Sequence, residues 1–135
     1  MNSCSFLNIG LRLCMAFMAL LMTAFSHASE IGVTDKEIII GQTIALQDGN
    51  NSYGVAAAQG AKLYFDMVNA GGGLHGRKIL LRVLDDDNKA ANAEANARKL
   101  VADGAFILFG SIEGGPSNAI MKVANEFKVP FFGPM

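Results

Sequence analysis

Residues 78–110, KILLRVLDDDNKAANAEANARKLVADGAFILFG, read as a strand, a helix and a second strand, and that order decides the fold. Lys78 to Leu84 is a compact apolar run of the kind buried strands carry, and Asp85-Asp86-Asp87-Asn88 ends it. From about Lys89 to Ala102 the period becomes helical, with Ala90, Ala93, Ala97, Leu100 and Val101 as the apolar stripe. Glu94 stands four residues before Arg98, a mildly favourable pair. The acidic start suits the positive end of the helix dipole. Asp103-Gly104 stops the helix, and Ala105 to Phe109 is the next strand.

The same alternation continues in both directions. Downstream, Gly110 to Gly115 is a glycine-rich loop, and Pro116 opens a helix with Ile120, Val123, Ala124 and Phe127 on one face. Val129 to Phe132 is a further strand. Upstream, residues 38–44 form a β-branched strand, and the polar run Gln47 to Ser52 forms a loop. Gly54 to Asn69 is helical, with Ala57, Ala61, Tyr64, Phe65 and Val68 on one face and Gln59, Lys62, Asp66 and Asn69 on the other. Gly71-Gly72-Gly73 stops it. The order β-α-β-α-β-α-β, with helical connections, predicts an α/β fold with an open parallel sheet and right-handed crossovers.

A formal net charge of −1 over 135 residues gives no basic surface for nucleic acid or anionic membranes. Residues 1–28 read as an export signal: Arg12, then the apolar run Leu13 to Phe25, then Ser26-His27-Ala28 with small residues suited to cleavage after Ala28. The run is shorter than the roughly 18–20 residues that cross a bilayer; the competing reading is an uncleaved anchor. Cys14 follows Leu11-Arg12-Leu13, too bulky for a lipoprotein signal. Both cysteines, Cys4 and Cys14, lie in this segment, so the exported chain has no disulfide, thiol nucleophile or cysteine metal site. It keeps ten basic and twelve acidic residues, net −2.

In open α/β sheets, ligands sit beyond the carboxyl ends of the strands, which singles out residues 46–53, 85–88 and 110–116. The last loop follows a strand and opens a helix, so its backbone N–H groups can meet an anion, and its glycines allow close approach. It can equally be an empty turn with a capping serine. The three aspartates suggest a metal or phosphoacceptor cluster, but neighbouring strand residues point in opposite directions. A solvated turn that caps the next helix is the preferred reading. Gly71 to Gly76 lies after a helix and before a strand, the reverse of a dinucleotide fingerprint. His75, the one histidine after residue 28, has no evident partner. Nothing forms a catalytic constellation, a metal site or a cofactor site.

Glu37 to Met135 resembles the type I periplasmic binding proteins of the leucine/isoleucine/valine-binding group. The likeness rests on Asn69-Ala70-Gly71-Gly72-Gly73-Leu74-His75-Gly76-Arg77-Lys78-Ile79, on Asp85-Asp86 after the second strand, and on the Ala- and Asn-rich helix running into Arg98-Lys99-Leu100. Gly110 after the third strand and Lys128-Val129-Pro130 complete it. The resemblance implies two lobes closing on a small-molecule ligand, without a cofactor, and delivery to an inner-membrane ABC permease from the periplasm. It implies that Tyr53, just before Gly54, lines the cleft. It also implies a hydroxyl four places after Gly110, where this chain has Gly114; Ser111 and Ser117 are the hydroxyls that could replace it. That departure weighs against branched-chain amino acids and leaves amides, short acids and aromatic acids open within the expected class, a small solute such as an amino acid, amide or small organic acid.

The family's proteins are longer, so residues 29–135 are expected to be a partial N-terminal lobe of a truncated product. The alternatives are a non-functional gene fragment and a receiver- or flavodoxin-like signalling domain. A receiver needs acidic residues after the first strand and an aspartate after the third, where this chain has Gln47-Asp48 and Gly110-Ser111.

Overall fold

The structure, a computed structural model, describes residues 30–134. The export signal read at residues 1–28 lies outside them. The elements follow the predicted order: β1 (Glu37–Ile44), a short 3-10 turn (Gln47–Gly49), α1 (Ser52–Ala70), β2 (Lys78–Asp85), α2 (Ala90–Ala102), β3 (Ile107–Ser111), α3 (Gly114–Phe127) and β4 (Phe131–Pro134). The sheet order is β2-β1-β3-β4 and every pairing is parallel. β1 is therefore central, paired with β2 from Glu37↔Lys78 to Ile44↔Asp85 and with β3 at Ile40↔Ile107 and Gly41↔Leu108.

One face of the sheet carries α2 and α3. Ala93, Ala97 and Leu100 of α2 meet Ala119, Ile120, Val123 and Ala124 of α3 over Leu108 of β3, all buried. Alanine brings α2 close to the strands, and Gly41 answers it: a Cβ there would stand 3.0 Å from the Leu100 Cβ. The other face carries α1, whose Phe65 meets Phe109 edge-on, and Phe109 in turn stacks with Phe132.

Several details differ from the sequence reading. β3 and β4 each begin two residues later than predicted. The N–H of Ala105 bonds to the Leu100 carbonyl and that of Val129 to the Ala124 carbonyl, so these apolar residues close helix ends before the sheet begins. α3 starts at Gly114, ahead of Pro116; the first turn of a helix has no intrahelical acceptor for its N–H groups, so proline fits inside it. Tyr64 is 59% exposed, Ala90 is exposed, and Phe127, at 46%, lies under the Arg98 guanidinium. Arg98 also pairs with Glu94 and Glu126. Asn69, assigned to the polar face, is half-buried and bonds both main-chain groups of Ile79 at 2.8 Å, which covers part of the β2 edge.

The largest difference concerns the aspartates. Asp86 is fully buried rather than solvated. The Thr43 hydroxyl donates to its Oδ2 at 3.1 Å and the Asn88 N–H to its Oδ1 at 3.0 Å. Asn96 of α2 donates to the Thr43 Oγ1 (3.2 Å) and to the Asp85 carbonyl (2.9 Å), and Asn92 donates to the Asp86 carbonyl (3.2 Å). Successive side chains leave a strand on opposite faces, so Asp86 turns under α2 while its neighbours turn out. The result ties β1, β2 and the start of α2 together.

Three outcomes follow for stability. Leu100→Ala removes a buried side chain from the α2–α3 core and should lower the unfolding free energy by about 2–5 kcal/mol in urea titration. Leu63→Ala, at a position 73% exposed, should change it by less than about 0.5 kcal/mol. Burial pushes the Asp86 pKa up; the Asn88 N–H and Thr43 hydroxyl oppose this, while Asp85 and Asp87 add to it, and the net value lies above the ordinary 3.8. A raised carboxyl binds its proton better folded than unfolded, so its contribution is full below 3.8 and is lost as pH rises through the folded pKa. Asp86→Asn, uncharged at every pH, should therefore gain stability over wild type on going from about pH 3 to about pH 7. Urea midpoints at the two pH values check the sign.

Candidate functional site

Parallel pairing sets the carboxyl ends of all strands on one rim, and three loops leave it. The loop after β1 is held by its own backbone. The N–H groups of Gly49 and Asn51 both bond to the Leu46 carbonyl at 3.0 Å. Asn51 caps α1, its Oδ1 accepting from the Gly54 N–H at 3.0 Å. Gly54 is required there, because a Cβ would lie 1.8 Å from the Ala45 carbonyl oxygen. Tyr53, the second residue of α1, is 81% exposed, so its ring stands free at the rim.

Gly110, read from the sequence as the start of the loop, lies inside β3; it has φ +56°, is buried, and bends the strand before the loop leaves at Ile112. Glu113 occupies the N-cap of α3 without a side-chain cap bond. Gly114 and Gly115 form the first turn, are exposed, and have open space where a Cβ would stand. Their N–H groups belong to the part of a helix that lacks intrahelical acceptors and carries the positive end of the dipole. Ser111 and Ser117 lie beneath. Both are buried, and the Ser117 hydroxyl donates to that of Ser111 at 2.9 Å.

Of the five residues named from the sequence, Tyr53 and Gly114 are thus at the surface of the rim. Gly110 forms its floor, and the two serines brace α3 from inside. The sequence reading missed Gln42. This β1 side chain is 1% exposed, and its Nε2 donates to the Gly110 carbonyl at 3.5 Å. Its Oε1 has no hydrogen-bond partner among the described residues. The available signal was an amide inside a β-branched strand.

The end of β2 is tied to the loop after β1. Asp85 accepts from the N–H groups of Leu46 (2.9 Å), Asp48 (3.3 Å) and Asp87 (2.8 Å). Among the described residues, no group of three or more His, Cys, Asp or Glu side chains gathers to hold a metal ion. Nor is any helix there long and apolar enough to cross a membrane. A groove of about 570 Å³ lies at the opposite, amino end of the strands, lined by Ile31, Phe106, Phe127, Pro130 and their neighbours.

Comparison with known proteins agrees with this layout. The family model described as periplasmic binding protein matches residues 22–135. Among curated relatives, Leu/Ile/Val-binding protein homolog 3 of Brucella melitensis is 25% identical over 109 residues, covering 78% of this chain and 30% of that protein. Among solved structures, a substrate-binding periplasmic protein from Ralstonia solanacearum is 31% identical with a TM-score of 0.68, covering 73% of this chain and 29% of that one. A branched-chain amino acid transporter substrate-binding protein from Streptococcus pneumoniae, in complex with isoleucine, is 27% identical with a TM-score of 0.69, covering 74% and 30%. The chain thus spans about three-tenths of the length of these relatives. The match sets aside the receiver- and flavodoxin-like alternative: this chain belongs to the type I periplasmic binding proteins, in the Leu/Ile/Val-binding group.

Proposed function

We propose that this chain supplies one wall of the solute site of an ABC importer's binding protein, exported to the periplasm by residues 1–28. Residues 29–135 are part of its N-terminal lobe, and the permease is its membrane partner. The observation that carries the reading is the first turn of α3: two exposed glycines at a helix start, on the same rim as the exposed Tyr53, where such sheets bind ligands. The glycine N–H groups receive a carboxylate or amide oxygen, and the Tyr53 ring covers the apolar part of the solute. Gly110 lets the chain turn close beneath it. Ser111 and Ser117, bonded to each other, keep the turn in place. The amino-acid complex of the Streptococcus relative supports a small solute with a carboxylate. The missing hydroxyl at Gly114 favours amides, short acids and aromatic acids over branched-chain amino acids.

An open rim covers little of a ligand, whereas good pockets bury most of it. The expected affinity of this chain is therefore about millimolar, near 4 kcal/mol. Backbone amide shifts of the full chain, followed by NMR during titration with L-leucine, L-phenylalanine, propionate or propionamide to about 20 mM, test this. At least one carboxylate or amide probe should shift the amides of Tyr53, Gly110, Gly114 and Gly115 together. No shift at those amides with any probe would refute the reading. Gly114→Ser, which the open space admits, should strengthen L-leucine binding about fivefold, the size of one added hydrogen bond.

A further inference from the structure

The carboxylate of Asp85 is exposed and forms no ion pair among the described residues. Its partners are backbone N–H groups, and two of them, those of Leu46 and Asp48, belong to the loop after the neighbouring strand. That loop is strained: Gln47 and Asp48 have φ +51° and +52°, neither being glycine. Side chains in the left-handed region cost about 1 kcal/mol or more each. Such conformations persist where the surroundings over-determine them. Successive N–H groups turned to one side form a concavity that binds an anion, and here the anion is the chain's own Asp85.

Asp85 is itself fixed from other directions. It pairs in register with Ile44, the Asp86 N–H bonds to the Ile44 carbonyl, and Asn96 of α2 holds the Asp85 carbonyl. The strained loop then passes through Asn50 and Asn51 into the α1 cap and Tyr53. We propose that Asp85 is a positioning residue for solute capture: its carboxylate holds residues 46–51 in the strained form that presents Tyr53 and the start of α1 at the rim. The role in capture rests on the functional reading above; the role in holding the loop stands apart from it. Partial burial pushes the Asp85 pKa up, yet the N–H groups of Asp87, Leu46, Asp48 and Gln47 outweigh this and leave it below 3.8, as expected for a carboxylate they hold ionised.

The experiment uses the full chain with Asp85→Ala, Asp85→Asn and the control Asp87→Asn, whose carboxylate meets the exposed Lys89. Amide hydrogen exchange at Leu46 and Asp48 should quicken about tenfold in Asp85→Ala and less in Asp85→Asn. The amides of Leu108 and Val123, and the control variant, should keep wild-type rates. Formate added to Asp85→Ala should slow exchange at Leu46 and Asp48 again by filling the concavity, a rescue that a general loss of stability does not predict. In L-leucine titration, Asp85→Ala should bind about fivefold more weakly than wild type. Wild-type exchange rates at Leu46 and Asp48 in both variants would overturn the proposal. So would exchange quickened equally across the core amides. If Asp85→Ala does not fold, Asp85→Asn decides by the same rates. If wild type shows no L-leucine binding, the exchange arm still decides the loop's dependence on Asp85, and only the functional reading is touched.

Discussion

The structure depends on the parallel pairing of β1 along both its edges. β1 registers with β2 over its whole length and with β3 near its middle, so its position fixes where every other strand starts and stops. Right-handed helical crossovers then follow from chain chirality. The close seating of α2 against Gly41 and Leu108 depends on that register too. Because all pairings are parallel, the loops that leave the strands converge on one rim. A single antiparallel strand would have sent one of them to the far end.

Polar contacts, rather than apolar packing, organise that rim. Asp86 lies inside, taking a hydroxyl and an N–H from β1 and its own turn, while Asp85 reaches across to the loop after β1. Neighbouring aspartates, the last residue of β2 and the one after it, thus turn to different partners with the same functional group. Gln42 makes a similar link from β1 to Gly110. Asp85 thus links the end of β2 to the loop after β1, and Gln42 links β1 to β3.

Much of the fold was legible in the sequence because it is local. The β-branched strands, the Ala93, Ala97 and Leu100 stripe and the glycine stops are patterns within a few residues, and they gave the element order. Boundaries shifted where an apolar residue closed a helix end instead of joining the sheet, as at Ala105 and Val129. Phe127 misled in a different way. Its helical spacing is right, but it sits in the last turn of α3, where the Arg98 guanidinium covers it in place of the core.

The candidate site was legible only in part. The Gly110 loop was placed by its position after a strand, and Tyr53 by the family resemblance. The roles of Asp85 and Gln42 were not, because their partners lie 39 and 68 residues away in sequence, and no periodicity reports such pairs. The central claim is that a solute meets this chain at the carboxyl rim of the sheet, and cross-linking with a photoactivatable leucine analogue followed by peptide mapping tests it most directly. A solute held at the rim places label in residues 46–53 and 110–117; label confined to the apolar groove around Ile31, Phe106 and Pro130 at the opposite end would contradict this.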